Sequence, residues 1–221
     1  SKKIFDLCVK YNVKQFIFVS TCSNYGKNKK SFVSETSKLQ PLSPYSHAKV
    51  NFEKYLLKNK KKIEKISMLR LATVFGMSFR PRFDLTINEF VRDIYYNRKL
   101  EVYGENFWRP YVHVLDIANF ITALLKKSKK GSEIVNVGKT ENNYTKKMII
   151  NKISKYLNVD NVYFNKKKIV DKRDYRVNFD KIKTKYNFKI RYSLDYGIKE
   201  IISFLKKSKK KEVFSKETVN S

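Results

Sequence analysis

The stretch Gln15-Phe16-Ile17-Phe18-Val19-Ser20 is a continuous apolar run with the length of a strand that is buried on both faces. Residues 45–60 then carry apolar side chains at helical spacing, and residues 66–75 return to a strand-like run that Gly76 ends. Strand, helix and strand in this order form one right-handed crossover of a parallel sheet. The sequence therefore predicts an α/β fold.

The second half of the chain predicts a more mixed arrangement, without an internal repeat. Helical spacing and short apolar runs alternate there. We expect helices at residues 84–96, 116–125, 144–157 and 193–205, and strands at residues 100–103 and 133–137. Residues 206–221 are charged and lack an apolar stripe, so we expect a flexible tail.

Composition limits the class of protein. The net charge is +29, and two interpretations are open: a compositional bias of the source, or a functional basic surface for a polyanion. The 2 Cys offer neither a disulfide framework nor zinc-ligand spacing. No apolar run reaches the length of a membrane span. We expect a cytoplasmic protein without a metal site or a membrane partner.

Glycines are few, and their positions are informative. None of the 6 Gly belong to a Gly-x-Gly-x-x-Gly turn, which would let a dinucleotide pyrophosphate approach a helix N-terminus. The chain also begins at Ser1, directly in a helical pattern. We expect it to be the C-terminal part of a longer protein that lacks three strand–helix units, about 90 residues at roughly 30 per unit.

Tyr45 and Lys49 form a candidate catalytic pair. They lie four residues apart at the start of the predicted helix, so they can share one helix face. An unperturbed phenol has a pKa of about 10 and is a poor base at neutral pH. A nearby cation favours the phenolate, and we therefore expect Lys49 to lower the pKa of Tyr45.

Four motifs occur in order along the chain. They are Phe16-Ile17-Phe18-Val19-Ser20-Thr21 followed by Tyr25-Gly26, Pro44-Tyr45-Ser46-His47-Ala48-Lys49, Leu69-Arg70-Leu71-Ala72-Thr73-Val74-Phe75-Gly76, and Trp108-Arg109-Pro110-Tyr111-Val112-His113-Val114-Leu115-Asp116. Their order and spacing resemble those of the extended short-chain dehydrogenase/reductase superfamily, in its NAD-dependent nucleotide-sugar epimerase/dehydratase branch. The resemblance runs from Phe5 to about Phe204.

The resemblance implies the C-terminal portion of a Rossmann-like doubly wound parallel sheet, with a smaller mixed α/β substrate-binding lobe. Residues 1–76 would form the C-terminal half of the dinucleotide-binding domain. Residues 77–205 would belong mainly to the lobe, with some segments returning to the Rossmann core, and residues 206–221 would form the tail.

The resemblance also implies catalytic roles. Tyr45 would be the general base, Lys49 its cationic neighbour and a donor to the nicotinamide ribose, and Thr21 the hydroxyl that orients the sugar alcohol. Ala72 would lie where the backbone approaches the nicotinamide. NAD is the implied cofactor of the full-length parent, with NADP as the alternative. This chain alone would be inactive, because the glycine-rich turn is missing.

The residues after Thr21 bear on the reaction. Dehydratases of the family carry an Asp-Glu pair there, whereas this chain has Cys22 and Ser23, which cannot serve as that acid pair. We therefore expect epimerisation, by oxidation and re-reduction at C4 of the sugar. The alternatives are a nucleotide-sugar reductase or dehydratase of the same superfamily, or a non-catalytic basic binding module.

Substrate contacts are expected from several positions. Arg109 matches the Arg that similar enzymes place on the sugar-nucleotide diphosphate. A second diphosphate contact would come from a Lys within residues 166–168 or from Arg173. The other candidates are Thr73, Arg82, Leu85 and Tyr103. His113 is expected to be a buried structural residue. The expected partners are a nucleotide sugar and, when full length, a second copy in a homodimer, but not nucleic acid.

Overall fold

The computed structural model describes residues 1–126, 130–165 and 171–215. The strands in these residues are β1 (Gln15–Thr21), β2 (Lys27–Val33), β3 (Lys65–Leu71), β4 (Thr73–Phe75), β5 (Leu100–Tyr103), β6 (Trp108–His113), β7 (Gly131–Val137), β8 (Asn143–Thr145), β9 (Val162–Asn165) and β10 (Asp174–Val177). The helices are α1 (Lys2–Lys10), α2 (Pro44–Lys58), α3 (Thr86–Tyr95), α4 (Val114–Leu125), α5 (Lys146–Ile153), α6 (Asp180–Tyr186), α7 (Leu194–Lys207) and α8 (Lys210–Ser215).

The main sheet consists of β1, β3 and β7, all parallel and in the order β1-β3-β7. Neighbouring residues of one strand point to opposite faces of the sheet, and a helix covers each of these faces. Met68 packs in the same cluster as Phe52 of α2, whereas Leu69 packs with Phe120 of α4. The predicted α/β fold with a parallel strand–helix–strand unit is confirmed.

The outer edge of the main sheet is β1. Within the described residues it pairs with a strand on one side only. Val19 is 42% exposed on β1, and Ile4, Leu7 and Tyr11 of α1 are exposed as well. Apolar side chains thus face solvent along this border of the sheet.

A capping box fixes the start of α2. The Ser43 hydroxyl accepts from the Ser46 backbone N–H at 3.2 Å, and the Ser46 hydroxyl accepts from the Ser43 N–H at 3.1 Å. Pro44 occupies the first turn, where its missing N–H is not needed. The helix therefore begins just before Tyr45, which places that side chain at its N-terminal end.

Beyond the main sheet, the described residues form smaller sheets and a cluster of helices, which are called the lobe below. β4, β6 and β8 form one small sheet in the order β4-β6-β8, and β5 pairs with β9. α3, α5 and α7 pack around a shared apolar core, which includes Ile87, Val91, Tyr111, Ile149, Ile198 and Ile201. The same chain returns to the main sheet through β7.

Two segments differ from the sequence-based expectation. The sequence predicts no strand at residues 27–33, but they form β2, which pairs in parallel with β10. Residues 206–215 were expected in a charged tail, but they complete α7 and form α8, where Val213 is 1% exposed in the lobe core. Residues 216–221 lie outside the described residues. No helix in the described parts of the chain is long and apolar enough to cross a membrane.

Candidate active site

A cleft of about 660 Å³ opens where β1 and β3 end. Ligands of open parallel sheets bind at this carboxyl edge. Most of the site residues predicted from the sequence line the cleft, namely Thr21, Tyr45, Ala72, Thr73, Arg82, Leu85, Arg109 and Arg173. Segments far apart in sequence thus bring hydroxyl and guanidinium groups into one cavity.

Thr21 is the last residue of β1 and caps the short 3-10 helix Cys22–Tyr25. Its side-chain oxygen accepts from the Ser23 N–H at 3.1 Å and lies 2.9 Å from the Ser23 hydroxyl. These contacts fix the orientation of the Thr21 hydroxyl at the wall of the cleft.

Tyr45 projects from the first turn of α2 and is 56% exposed. Partial burial raises the pKa of its phenol, while the charges of Arg173 and Arg82 act in the lowering direction. The expectation that Lys49 lowers this pKa is wrong, because the net shift is upward and the opposing charges belong to the two arginines.

Lys49 lies beside the Tyr45 ring rather than in the lining of the cleft. Its Nζ atom donates to the Val19 carbonyl at 2.7 Å and is 5.5 Å from the centroid of that ring and 4.9 Å from the centroid of Phe18. Burial lowers the pKa of Lys49. The ammonium group thus joins α2 to β1 next to the candidate base.

The basic side of the cleft is formed by Arg109 and Arg173, and Asp171 contacts both. Arg109 Nη2 lies 3.1 Å from Asp171 Oδ2, and Arg173 donates to both carboxylate oxygens at 2.8 Å. Lys146, at the start of α5, also lines the cleft. Sequence reasoning missed Lys146 and Asp171, since only the fold places them beside Arg109. Residues 166–168, the other candidates for the second diphosphate contact, lie outside the described residues.

The remaining candidates differ in position. Leu85 is the N-cap of α3, so it sets where the first turn of that helix meets the cleft. Tyr103 does not line the cleft: its hydroxyl donates to Glu101 at 2.6 Å, and only its backbone carbonyl contacts Lys146. His113 is fully buried, as expected, and its Nε2 atom lies 3.0 Å from Glu200. In the described parts of the chain, no cluster of His, Cys, Asp or Glu could hold a metal ion.

A buried ion pair lies beneath the cleft and was missed from the sequence. Glu53 of α2 pairs with Arg70 of β3 at 2.7 Å, and both side chains are almost fully buried. Ser20 and Asn24 also donate to Glu53, at 2.5 and 3.1 Å. Glu53 lies one helical turn after Lys49 and therefore on the same, inward face of α2. A charged residue on that face was the feature of the sequence that could have indicated a buried ion pair.

The family model for the NAD dependent epimerase/dehydratase family matches residues 1–138. The chain belongs to the NAD-dependent epimerase/dehydratase family. Among curated members, an uncharacterised UDP-glucose epimerase of Bacillus subtilis, YtcB, is 32% identical over 142 residues, which is 63% of this chain and 44% of the relative. The chain therefore spans less than half the length of this relative.

Solved structures of the NAD-dependent epimerase/dehydratase family share the fold. MoeE5 in complex with UDP-glucuronic acid and NAD has a TM-score of 0.84 at 22% identity, over 94% of this chain and 70% of that one. UDP-glucose 4-epimerase of Thermotoga maritima with UDP-glucose has a TM-score of 0.79 at 25% identity, over 92% of this chain and 67% of that one.

Proposed function

We propose that this chain carries the catalytic and sugar-nucleotide-binding residues of an NAD-dependent nucleotide-sugar epimerase that acts at C4 of the sugar. The main observation in support of this proposal is that Thr21, Tyr45, Arg109 and Arg173 line the same cleft. Hydroxyl groups for proton transfer and guanidinium groups for a diphosphate occupy the same cavity. Similarity to the UDP-glucose 4-epimerase that was solved with UDP-glucose supports this proposal.

In this proposal Tyr45 and Thr21 handle the proton. Thr21, held by Ser23, positions the C4 hydroxyl, and the Tyr45 phenolate takes its proton while the C4–H hydrogen leaves as hydride. The product is a 4-keto sugar. Re-reduction on the other face of C4, with the hydride that bound NAD would supply, requires Tyr45 to give the proton back to the C4 oxygen. A positioned acid–base group of this kind contributes about 10² to 10⁴ in rate.

NAD, when bound, supplies the hydride acceptor and donor for this chemistry. Two observations support a nicotinamide end here: Lys49 Nζ lies 5.5 Å from the centroid of the Tyr45 ring, so that the pair would hold the ribose, and Ala72 lines the cleft together with Tyr45. The 221 residues contain no glycine-rich turn for the pyrophosphate. The fit therefore covers one end of the cofactor only.

The surroundings of Cys22 favour epimerisation over dehydration. Its thiol is buried, donates to the Arg70 carbonyl at 3.1 Å, and has a pKa that burial raises well above the usual value. Ser23 is buried and bonded to Thr21. Neither group can protonate a departing sugar hydroxyl as a carboxylic acid would.

The test is turnover in a chimera that places a glycine-rich nucleotide-binding unit ahead of Ser1. We expect interconversion of UDP-glucose and UDP-galactose, reduced by about 10² or more in Tyr45→Phe. Tyr163→Phe is the matched control, since Tyr163 is exposed on β9, away from the cleft. Full activity of the Tyr45→Phe chimera would contradict the assignment.

A further inference from the structure

Asp171 occupies the position between two cleft arginines where an anion would bind. Arg173 donates to it through Nε and Nη2, both at 2.8 Å, and through its backbone N–H at 3.1 Å. Arg109 approaches the same carboxylate through Nη2 at 3.1 Å. One carboxylate therefore uses donors from two guanidinium groups.

The other cleft cations are paired differently. Arg82 donates to both carboxylate oxygens of Asp84, and both of these side chains are about half exposed. Lys146 donates to the Tyr103 carbonyl at 2.8 Å. Among the described residues, the charged side chains that line the cleft are four cations, Arg82, Arg109, Lys146 and Arg173, and two anions, Asp84 and Asp171. The cleft is thus basic even with both carboxylates in place.

We propose that Asp171 is an internal counter-ion for Arg109 and Arg173, and that a diphosphate enters the cleft by displacing this carboxylate from both guanidinium groups. The proposal deepens the proposed function and rests on it for the identity of the ligand. Asp171 then sets both the affinity for diphosphates and the discrimination against weaker anions, which cannot compete with a carboxylate for two guanidinium groups.

Arg109 and Asp171 differ in how exposed their side chains are and in which contacts hold them. Arg109 has a side chain only 10% exposed, its Nη1 atom donates to the Trp108 carbonyl at 2.8 Å, and its guanidinium stacks 5.5 Å from the centroid of Tyr175. Asp171 has a side chain that is 43% exposed. The carboxylate can therefore rotate into solvent while the guanidinium of Arg109 stays in place.

Asp171 stays ionised at neutral pH. Burial alone would raise its pKa, but the hydrogen bond from Arg173 and the charge of Arg109 outweigh burial and hold the pKa well below its usual range. A ligand must therefore compete with a full negative charge. Phosphate oxygens are strong acceptors for the planar donor fork of Arg, and a diphosphate can engage two such forks at once.

The experiment compares Asp171→Asn with the original chain by calorimetric titration of inorganic pyrophosphate, UDP and uridine at low salt. Asn keeps the acceptor for the Arg173 backbone N–H and removes the charge. We expect affinity for pyrophosphate and UDP to rise by about tenfold, the size of one or two exposed charge pairs, with no gain for uridine. The gain should shrink as salt is added.

Asp84→Asn is the matched control, because it removes a cleft carboxylate whose one guanidinium partner among the described residues is Arg82. Its gain should be smaller than that of Asp171→Asn. Asp171→Ser, a second way to remove the charge, should reproduce the gain. An unchanged or weaker pyrophosphate affinity in both Asp171 variants would overturn the proposal, and so would an equal gain in Asp84→Asn.

UDP-glucose and NAD form two further arms, both titrated into the chimera with the glycine-rich unit, since both contain a diphosphate and the chain alone is not expected to bind NAD. A gain in Asp171→Asn for UDP-glucose but not for NAD assigns the displaced carboxylate to the sugar-nucleotide subsite, and the reverse assigns it to the cofactor and overturns the stated ligand. A gain for pyrophosphate with no UDP-glucose binding in any variant supports the counter-ion and removes the proposed function.

Discussion

Lys49 Nζ donates a hydrogen bond to the Val19 carbonyl at 2.7 Å, and this bond joins α2 to the exposed edge strand β1. One of the three N–H donors of Lys49 is therefore used by a backbone acceptor while the ammonium group lies over the Tyr45 ring. The charges that favour the Tyr45 phenolate come instead from Arg173 and Arg82, which face it from other elements of the cleft. The guanidinium groups that would hold a diphosphate thus also influence the candidate base.

The first prediction concerns the pKa of Tyr45. Arg173→Gln and Arg82→Gln should each raise it further, because each removes a positive charge that stabilises the phenolate. The turnover rate of the chimera should rise with pH as Tyr45 loses its proton, and in both variants this rise should occur at higher pH. The measurement is a pH titration of ¹³C-labelled tyrosines by NMR, with Tyr45→Phe to assign the signal. Arg191→Gln, an exposed residue outside the cleft, is the control. A lowered or unchanged pKa in both cleft variants would contradict the account.

The second prediction concerns the ion pair between Glu53 and Arg70. Arg70→Met should lower the free energy of unfolding by about 3–5 kcal/mol, since it leaves the buried Glu53 carboxylate without its partner. Urea unfolding measures this change. Glu101→Gln, which breaks the exposed contact with Lys99, should change stability little. Equal effects of the two substitutions would show that the buried pair does not hold α2 against β3.

Much of the fold could be predicted because its signals are local. The apolar run of β1 and the helical spacing of α2 lie within short stretches of sequence, and Leu100–Tyr103 forms the strand expected there. β2 could not be predicted, because its lysine-rich sequence becomes a strand only through pairing with β10, far along the chain. α8 was missed because Val213 and Phe214 are a short apolar pair within a charged segment, and the burial of Val213 depends on the lobe.

The residues of the candidate site could be predicted where they belong to sequence motifs, and not elsewhere. Thr21, Tyr45 and Arg109 come together in the cleft as their motifs indicated. Tyr103 was predicted in the site from its position in the family resemblance, but its side chain points toward Glu101. The role of Asp171 depends on two arginines from different segments, so no single stretch of sequence could reveal it.

The third prediction concerns α8. Val213→Ala should cost about 2 kcal/mol of unfolding free energy, from roughly 0.8 kcal/mol per buried methylene-sized group plus the cavity left in the lobe core. Chemical denaturation measures it. Lys211→Ala, at an exposed position of the same helix, should have little effect. A Val213→Ala variant as stable as the original chain would show that α8 does not pack on the lobe in solution.

The fourth prediction concerns NAD. We expect no saturable binding in the micromolar range by the 221-residue chain, because it contains no glycine-rich turn for the pyrophosphate. Fluorescence or calorimetric titration of NAD measures this directly, with the chimera as the positive control. Micromolar binding by the chain itself would mean that another surface replaces that turn.

The most direct test of the account is calorimetric titration of UDP-glucose into this chain and three variants. We predict saturable binding that Arg109→Gln weakens about 10- to 100-fold, as expected for losing hydrogen bonds between charged groups worth about 1.5–3 kcal/mol. Tyr45→Phe and the exposed control Arg191→Gln should bind like the original chain. Absence of binding, or an Arg109→Gln variant that binds as tightly as the original, would contradict a nucleotide-sugar site in this cleft.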